Sequence, residues 1–303
     1  MDEPKSDLIG DIPSFGKAQG ESTTPPWINK LTEKHVKGKT SAADKEKEQE
    51  KPLVQVQLPF WPEDRRGMPN TFLRSALFTC RRHDDKRNQF LEFQLPSTSD
   101  FVITYTGLEL SQDDEDVYME IIHRSRQFPL GEEVTFSAYE VLKSLGWGTS
   151  SREYKRLQDG IHRLKNSSLK IVHNSKKGYA GSLIRKYVFD ERDESGKTRY
   201  KVWLEPELVS QFQGDNYTHI RHEQRKSLGK AGLAKWLHSY YSTHADPNGM
   251  KSETIRTMSG SDIKVLSQFR YKCKQTHDRL VEIGFLKSYL FDPKTDVFKV
   301  VRN

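Results

Sequence analysis

Apolar positions are scarce over the first fifty of the 303 residues, and the first cluster, "VQVQLPFWP" at 54–62, is neither helical nor strand-like in its spacing. It sets Leu58, Phe60 and Trp61 around Pro59, with Pro62 behind them, where neither a helix interior nor a central strand runs easily. Regular periodicity begins at "FVITYTGLEL", a strand over 101–106. "SQDDEDVYMEIIHRSRQF" follows as a helix, with Ser111 as cap, acids at its positive end, and Val117, Ile121, Ile122 and Phe128 as its apolar stripe. "TFSAYEVLKSLGW" predicts a short helix over 136–145, broken at Gly146 and Gly148, and a third helix starts behind Thr149 or Ser150. From "LKIVH" to "VWLE" the chain alternates as strands joined by glycine-containing hairpins.

Three helices followed by a β-ribbon is the winged-helix arrangement, and the second half repeats that order. "SLGKAGLAKWLHSYYSTH" is a long helix, "SETIRTMSG" a short one, "SDIKVLSQFRYKCKQTHDRLVEIG" a third, and "FLKSYLFDPKTDVFKVVR" a hairpin. The expected fold is therefore α+β: two tandem winged-helix domains, 101–205 and 206–303, preceded by a disordered N-terminal arm over 1–51 and an extended linker over 52–100. The arm is rich in Lys, Glu, Ser, Thr, Pro and Gly, a mix that buries too little surface to offset ordering entropy.

On a helical wheel the first third helix turns Tyr154, Leu157, Ile161, Leu164 and Ser168 to one side. Arg152, Lys155, Arg156, Asp159, Arg163 and Asn166 take the other. The second turns Val265, Leu266, Phe269, Cys273, Leu280 and Ile283 inward, leaving Lys264, Ser267, Tyr271, Lys274 and Gln275 outward with Gln268 at the border. Any amphipathic surface helix exposes charge. Here the exposed set is mostly Arg, Lys, Asn, Gln, Ser and Tyr, which hold phosphates or read base edges, on the helix that such folds insert into DNA. Lys176 and Lys177 at a hairpin tip are placed for backbone phosphate, although paired lysines at a turn also serve solubility alone.

Net charge +7 and a pI near 9.1 favour phosphate-rich partners. Cys80 and Cys273 are too few for a disulfide scaffold or a cysteine-built zinc site. No run approaches a membrane span, and the N-terminus lacks the basic start and apolar run of a secretion signal, so a cytoplasmic protein without membrane partners is expected. "GKT" at 38–40 and 196–198 has Glu33 and Glu191 where a phosphate loop needs glycine. His219 and His222 are three apart, unlike the one-residue spacing of a nicking initiator's metal-binding histidines. No enzyme activity, catalytic residue, metal site or cofactor is expected.

"LPFWP", "MPNTFLRSALFT", "ITYTGLEL", "TFSAYEVLKSLGW", "GDNY" with Thr218, and "ETIRTMSGSD" resemble, in order and spacing, stretches of the TrfA family of plasmid replication initiators. The likeness runs through most of 52–303. It implies two winged-helix domains that bind direct repeats (iterons) in double-stranded origin DNA and open adjacent AT-rich DNA, whose single strands they also meet. It further implies recruitment of the host initiator protein, replicative helicase and polymerase sliding clamp, and a homodimer in solution that acts as a monomer on DNA. "QLPFW" resembles the clamp-binding peptides of bacterial replication proteins, which assigns Gln57, Leu58, Phe60 and Trp61 to the clamp; the other reading is that Phe60 and Trp61 pack against the first domain. A winged-helix repressor and, less favoured, a nicking initiator are the alternatives.

Overall fold

The structure is a computed structural model that describes residues 57–303 except 83, 99, 174–176 and 191–197. The expected arm (1–51), residues 52–56 of the expected linker, and Lys176 lie outside the described residues.

The chain enters through an irregular segment at 57–64, then forms β1 (Arg65–Pro69), the single turn α1 (Asn70–Leu73) and β2 (Phe78–Thr79). β3 (Gln89–Leu95) and β4 (Phe101–Leu108) pair antiparallel, and β5 (Leu110–Ser111) runs parallel to β2 before α2 (Gln112–Ser125). β6 (Val134–Ser137) leads into α3 (Ala138–Ser144), and α4 (Ser151–Lys165) follows. Four strands come next: β7 (Ser168–His173), β8 (Lys177–Gly181), β9 (Lys186–Asp190) and β10 (Arg199–Trp203). A 3₁₀ helix (Pro206–Phe212) and β11 (Tyr217–Arg221) reach α5 (His222–Ser227). The second half is α6 (Gly232–Ser242), β12 (Met250–Lys251), α7 (Ser252–Met258), α8 (Leu266–Glu282) and the hairpin β13 (Leu286–Asp292) and β14 (Val297–Arg302).

Each half therefore carries helix, strand, helix, helix and hairpin, with the hairpin's second strand seated between its first strand and the short strand: β6-β10-β9 and β12-β14-β13. The middle helix ends alike in both. Gly146 (φ 68°) and Gly260 (φ 62°) adopt the left-handed conformation that lets the next amide reach back, Trp147 N–H to Leu142 O and Ser261 N–H to Arg256 O. α3 starts on a capping box: Ser137 Oγ accepts the Glu140 amide at 3.2 Å, and the Glu140 carboxylate accepts the Ser137 amide at 3.3 Å.

Two expectations are corrected. The stretch 168–203 is not one ribbon. β7 and β8 join β3 and β4 in a four-stranded sheet, because Leu169 and Ile171 face the core against Tyr105 and Ile103, and only β9 and β10 pair with β6. Nor is 57–100 an extended linker. Leu58, Trp61, Met68, Phe72, Leu77 and Phe78 are buried in the first core, and β1 pairs with β11 across the middle of the chain. Leu208, Phe212 and Ile220 also belong to that first core, so it reaches past the expected boundary at 205. The indole of Trp61 lies so close to Gly67 that a β-carbon there would come within 2.8 Å of the ring. An irregular segment has no period to read, which is why its burial was not visible as a pattern.

Candidate nucleic-acid interface

α8 has the cleaner outward face. Phe269, Cys273, Thr276, His277 and Leu280 turn inward at helical spacing, and Lys264, Ser267, Gln268, Tyr271, Lys274 and Gln275 are all exposed, Tyr271 by 65%. Val265, expected inside, is half exposed, because the helix begins only at Leu266. The approach to α8 is braced by the Arg256 guanidinium, which donates to Lys264 O at 2.7 Å. The adjoining hairpin is fastened to the helix through Asp296, which accepts from Arg270 Nε and Ser252 Oγ at 2.7 Å each. The Arg270 hydrogen bond holds the Asp296 carboxyl below its usual range. Lys274 lies 4.7 Å over the Phe291 ring, so helix and hairpin present one surface.

α4 looks equally basic in sequence and behaves differently. Arg156, expected on the DNA face, is 8% exposed; its Nη2 is 2.6 Å from Asp113, its Nη1 donates to Glu153 at 2.8 Å, and its guanidinium stacks 3.6 Å over Trp147. Arg163 donates through Nε and Nη2 to Asp114 Oδ1 at 3.0 and 2.7 Å. Both are corrected from DNA contacts to ties between α4 and α2. Arg152, Lys155 and Asn166 stay exposed, Lys155 beside Asp159 at 3.4 Å and Asn166 beside His162. Lys177 is the first position of β8.

The partners of those arginines come from the acidic run Asp113–Asp116, which the sequence presents as helix-start charge. All four are buried. Asp114 also accepts Arg87, Glu115 accepts Ser239, and Asp116 accepts Arg225 and Lys235 at 2.5 Å each. Burial raises the Glu115 carboxyl; at Asp116 burial pulls the same way but Arg225 and Lys235 prevail and hold it below its usual range. One turn of α2 thus pins α4 of the first half and α5–α6 of the second.

Between α4 and α8 lies a basic strip not apparent from the wheels. A groove of about 260 Å³ has Arg81, Arg82, Arg152 and Lys230 in its lining beside Asp84 and Asp113, and one of about 520 Å³ has Arg81, Arg82, Lys230, Lys272 and Arg279 beside Asp85 and Asp262, so the two share a wall. Arg152, Lys230 and Lys272 are exposed and make no ion pair among the described residues, whereas Arg81 pairs with Glu109 at 3.5 Å, Arg82 with Asp84 at 3.0 Å and Arg279 with Glu282 at 3.2 Å. The run "CRRHDDKR" at 80–87 is the signal that could have pointed here.

The clamp-peptide residues are divided. The Gln57 side chain donates to Arg126 O at 3.0 Å, Leu58 is 4% exposed and Trp61 0%. Trp61 Nε1 donates to His123 Nδ1 at 3.1 Å, which leaves the other ring nitrogen to donate to Glu63 at 2.9 Å and fixes a neutral tautomer. Burial and then Arg66 lower the His123 pKa to about 4, in keeping with that state. Gln57 and Phe60, the latter 78% exposed, lie outside the core. As an exposed docking peptide the segment is corrected: two of its anchors are core residues.

An α+β chain of two like-ordered halves locked at one acidic turn, with a basic helix face at its surface, is the class this geometry defines. A family model described as TrfA protein matches residues 28–296, and the chain belongs to the TrfA family. It is 31% identical over 230 residues to the plasmid replication initiator protein TrfA of Escherichia coli, a match covering 75% of this chain and 59% of that protein's length. Two solved structures of domains 2 and 3 of RctB share the fold at 13% and 11% identity, with TM-scores of 0.51 and 0.50. They cover 76% and 75% of this chain and 95% of each RctB chain.

Proposed function

We propose that the protein is a plasmid replication initiator that binds direct repeats in duplex origin DNA through two winged-helix halves, opens adjacent AT-rich DNA and brings in the host replication machinery. The observation that carries this reading is the exposed face of α8 and the residue leading into it, where Lys264, then Ser267, Gln268, Tyr271, Lys274 and Gln275 are exposed beside a braced hairpin. These side chains match phosphate and base-edge chemistry in a major groove, and family membership supports the same reading. In it, Arg152 and Lys155 at the start of α4 make the first half's contact, and Lys230 and Lys272 neutralise phosphates between the two helices.

The protein acts by binding alone, without ATP hydrolysis or strand cleavage. Family kinship also supports a homodimer in solution that binds repeats as a monomer, and recruitment of the host initiator, helicase and clamp. A clamp that grips Gln57–Trp61 would first have to draw Leu58 and Trp61 out of the core. Footprinting on the origin of its own plasmid tests the reading. Protection of several direct repeats, lost in a Tyr271→Ala, Lys274→Ala double variant, is the expected result; one protected inverted repeat would mark a repressor, and a cut strand a nicking enzyme.

A further inference from the structure

On another part of the surface, where β1 and β11 meet the end of β14, a pocket of about 80 Å³ brings together Arg65, Arg221 and Arg302. His238, Gln224 and Asn303 also line it, and no acidic side chain does. Arg65 has Asp64 at 3.3 Å outside the pocket, while Arg302 Nη1 donates to the Tyr241 and His244 carbonyls. Asn303 Nδ2 donates to Gly284 O at 2.8 Å and Ser242 Oγ to His238 O at 2.7 Å, but other polar atoms are unmatched. Neither ring nitrogen of His238, 0% exposed, has a hydrogen-bond partner, and neither do Arg302 Nε and Gln224 Oε1. Buried polar atoms without partners are rare, and Arg302 Nε together with the one N–H of a neutral His238 are donors beside this pocket with no acceptor.

We propose that this pocket is a binding site for a tetrahedral oxyanion of the phosphate class. Its volume holds roughly two to three waters' worth of space, enough for one such group but not for a sugar or base. Arg221 and Arg302 supply the charge, a neutral His238 supplies one N–H, and the Gln224 amide can turn its NH2 inward, since its two ends are interchangeable in shape. Burial, and after it the nearby Arg221, lowers the Arg302 pKa from its ordinary value. A bound anion relieves that repulsion and ties the β1–β11 pair to the C-terminal strand. The proposal is independent of the DNA-reading face.

Thermal unfolding of the full chain in inorganic phosphate, against chloride at equal ionic strength and pH, tests it. Wild type is expected to gain on the order of 3 °C at tenfold excess over the dissociation constant. Arg221→Ala, which removes an exposed side chain, and Arg65→Ala should fold normally and lose that gain. No gain in wild type, or the same gain in both variants, overturns the site. The source of the phosphate is read from non-specific duplex binding. A salt slope smaller by about one in Arg221→Ala assigns the pocket to a DNA backbone phosphate, and an unchanged slope with retained phosphate response assigns it to a small phosphorylated molecule.

Discussion

α4 and α8 hold the same place in their halves and present similarly divided wheels, yet one turns two of its three arginines, Arg156 and Arg163, to internal acids and the other leaves its polar face to solvent. The difference lies not in either helix but in what faces it. Across from α4 stands the first turn of α2 with Asp113 and Asp114; the acids that pair on or beside α8, Asp296, Asp278 and Glu282, hold Arg270, Tyr289 and Arg279 rather than the outward residues. A wheel reports which residues share a face. It cannot report whether that face meets water or an opposite charge thirty or more residues away.

The largest expected effect is on stability against pH, and it separates the halves. Burial lowers His123 in the first core to about 4, and His238 and His277 in the second to about 3 and 4, against an ordinary 6.5. The unfolded chain therefore binds more protons than the folded one below 6.5. Stability from these groups is whole above that pH and is lost as pH falls toward 4. Hydrogen exchange mapped along the chain should show the second half, with two of the three, opening first.

Next comes the charge hub. Arg156→Ala leaves Asp113 buried without its guanidinium and should cost about 3–5 kcal/mol of stability, read as a fall in denaturation midpoint. Repeat affinity of the protein that remains folded should hardly change. Gln275→Ala or Tyr271→Ala should reverse that pairing of effects: an unchanged midpoint with roughly 1–3 kcal/mol of lost repeat binding for each base contact removed. Equal loss of repeat binding in Arg156→Ala at full stability would collapse the distinction between the helices. The smallest effect is that of Lys230→Ala, which should lower the salt slope of DNA binding by about one while leaving sequence preference intact.

Much of this was legible in advance. The order of the main helices followed from periodicity and caps, since Ser111, Ser150 and Gly146 mark their own places. The outward face of α8 followed from its wheel. What could not be read was long-range pairing: β1 with β11, β7 with β4, and the acids of α2 with cations in three other helices and at Arg87. Trp61 was ambiguous for a related reason, because an apolar residue among prolines looks the same whether it waits for a partner protein or fills the protein's own core. The basic strip around Arg82 and Lys230 joins loops that only the fold brings side by side.

The seam at β1 has a consequence for how the chain is made. Asn70 receives its hydrogen bond from Thr218, 148 residues later. At roughly 5–20 residues per second, a ribosome needs on the order of 10 s to deliver β11 after β1 has emerged. Through that interval Leu58, Trp61 and Met68 have no finished core to enter. The nascent first half is then an open, chaperone-accessible intermediate, and it closes only when the middle of the chain arrives.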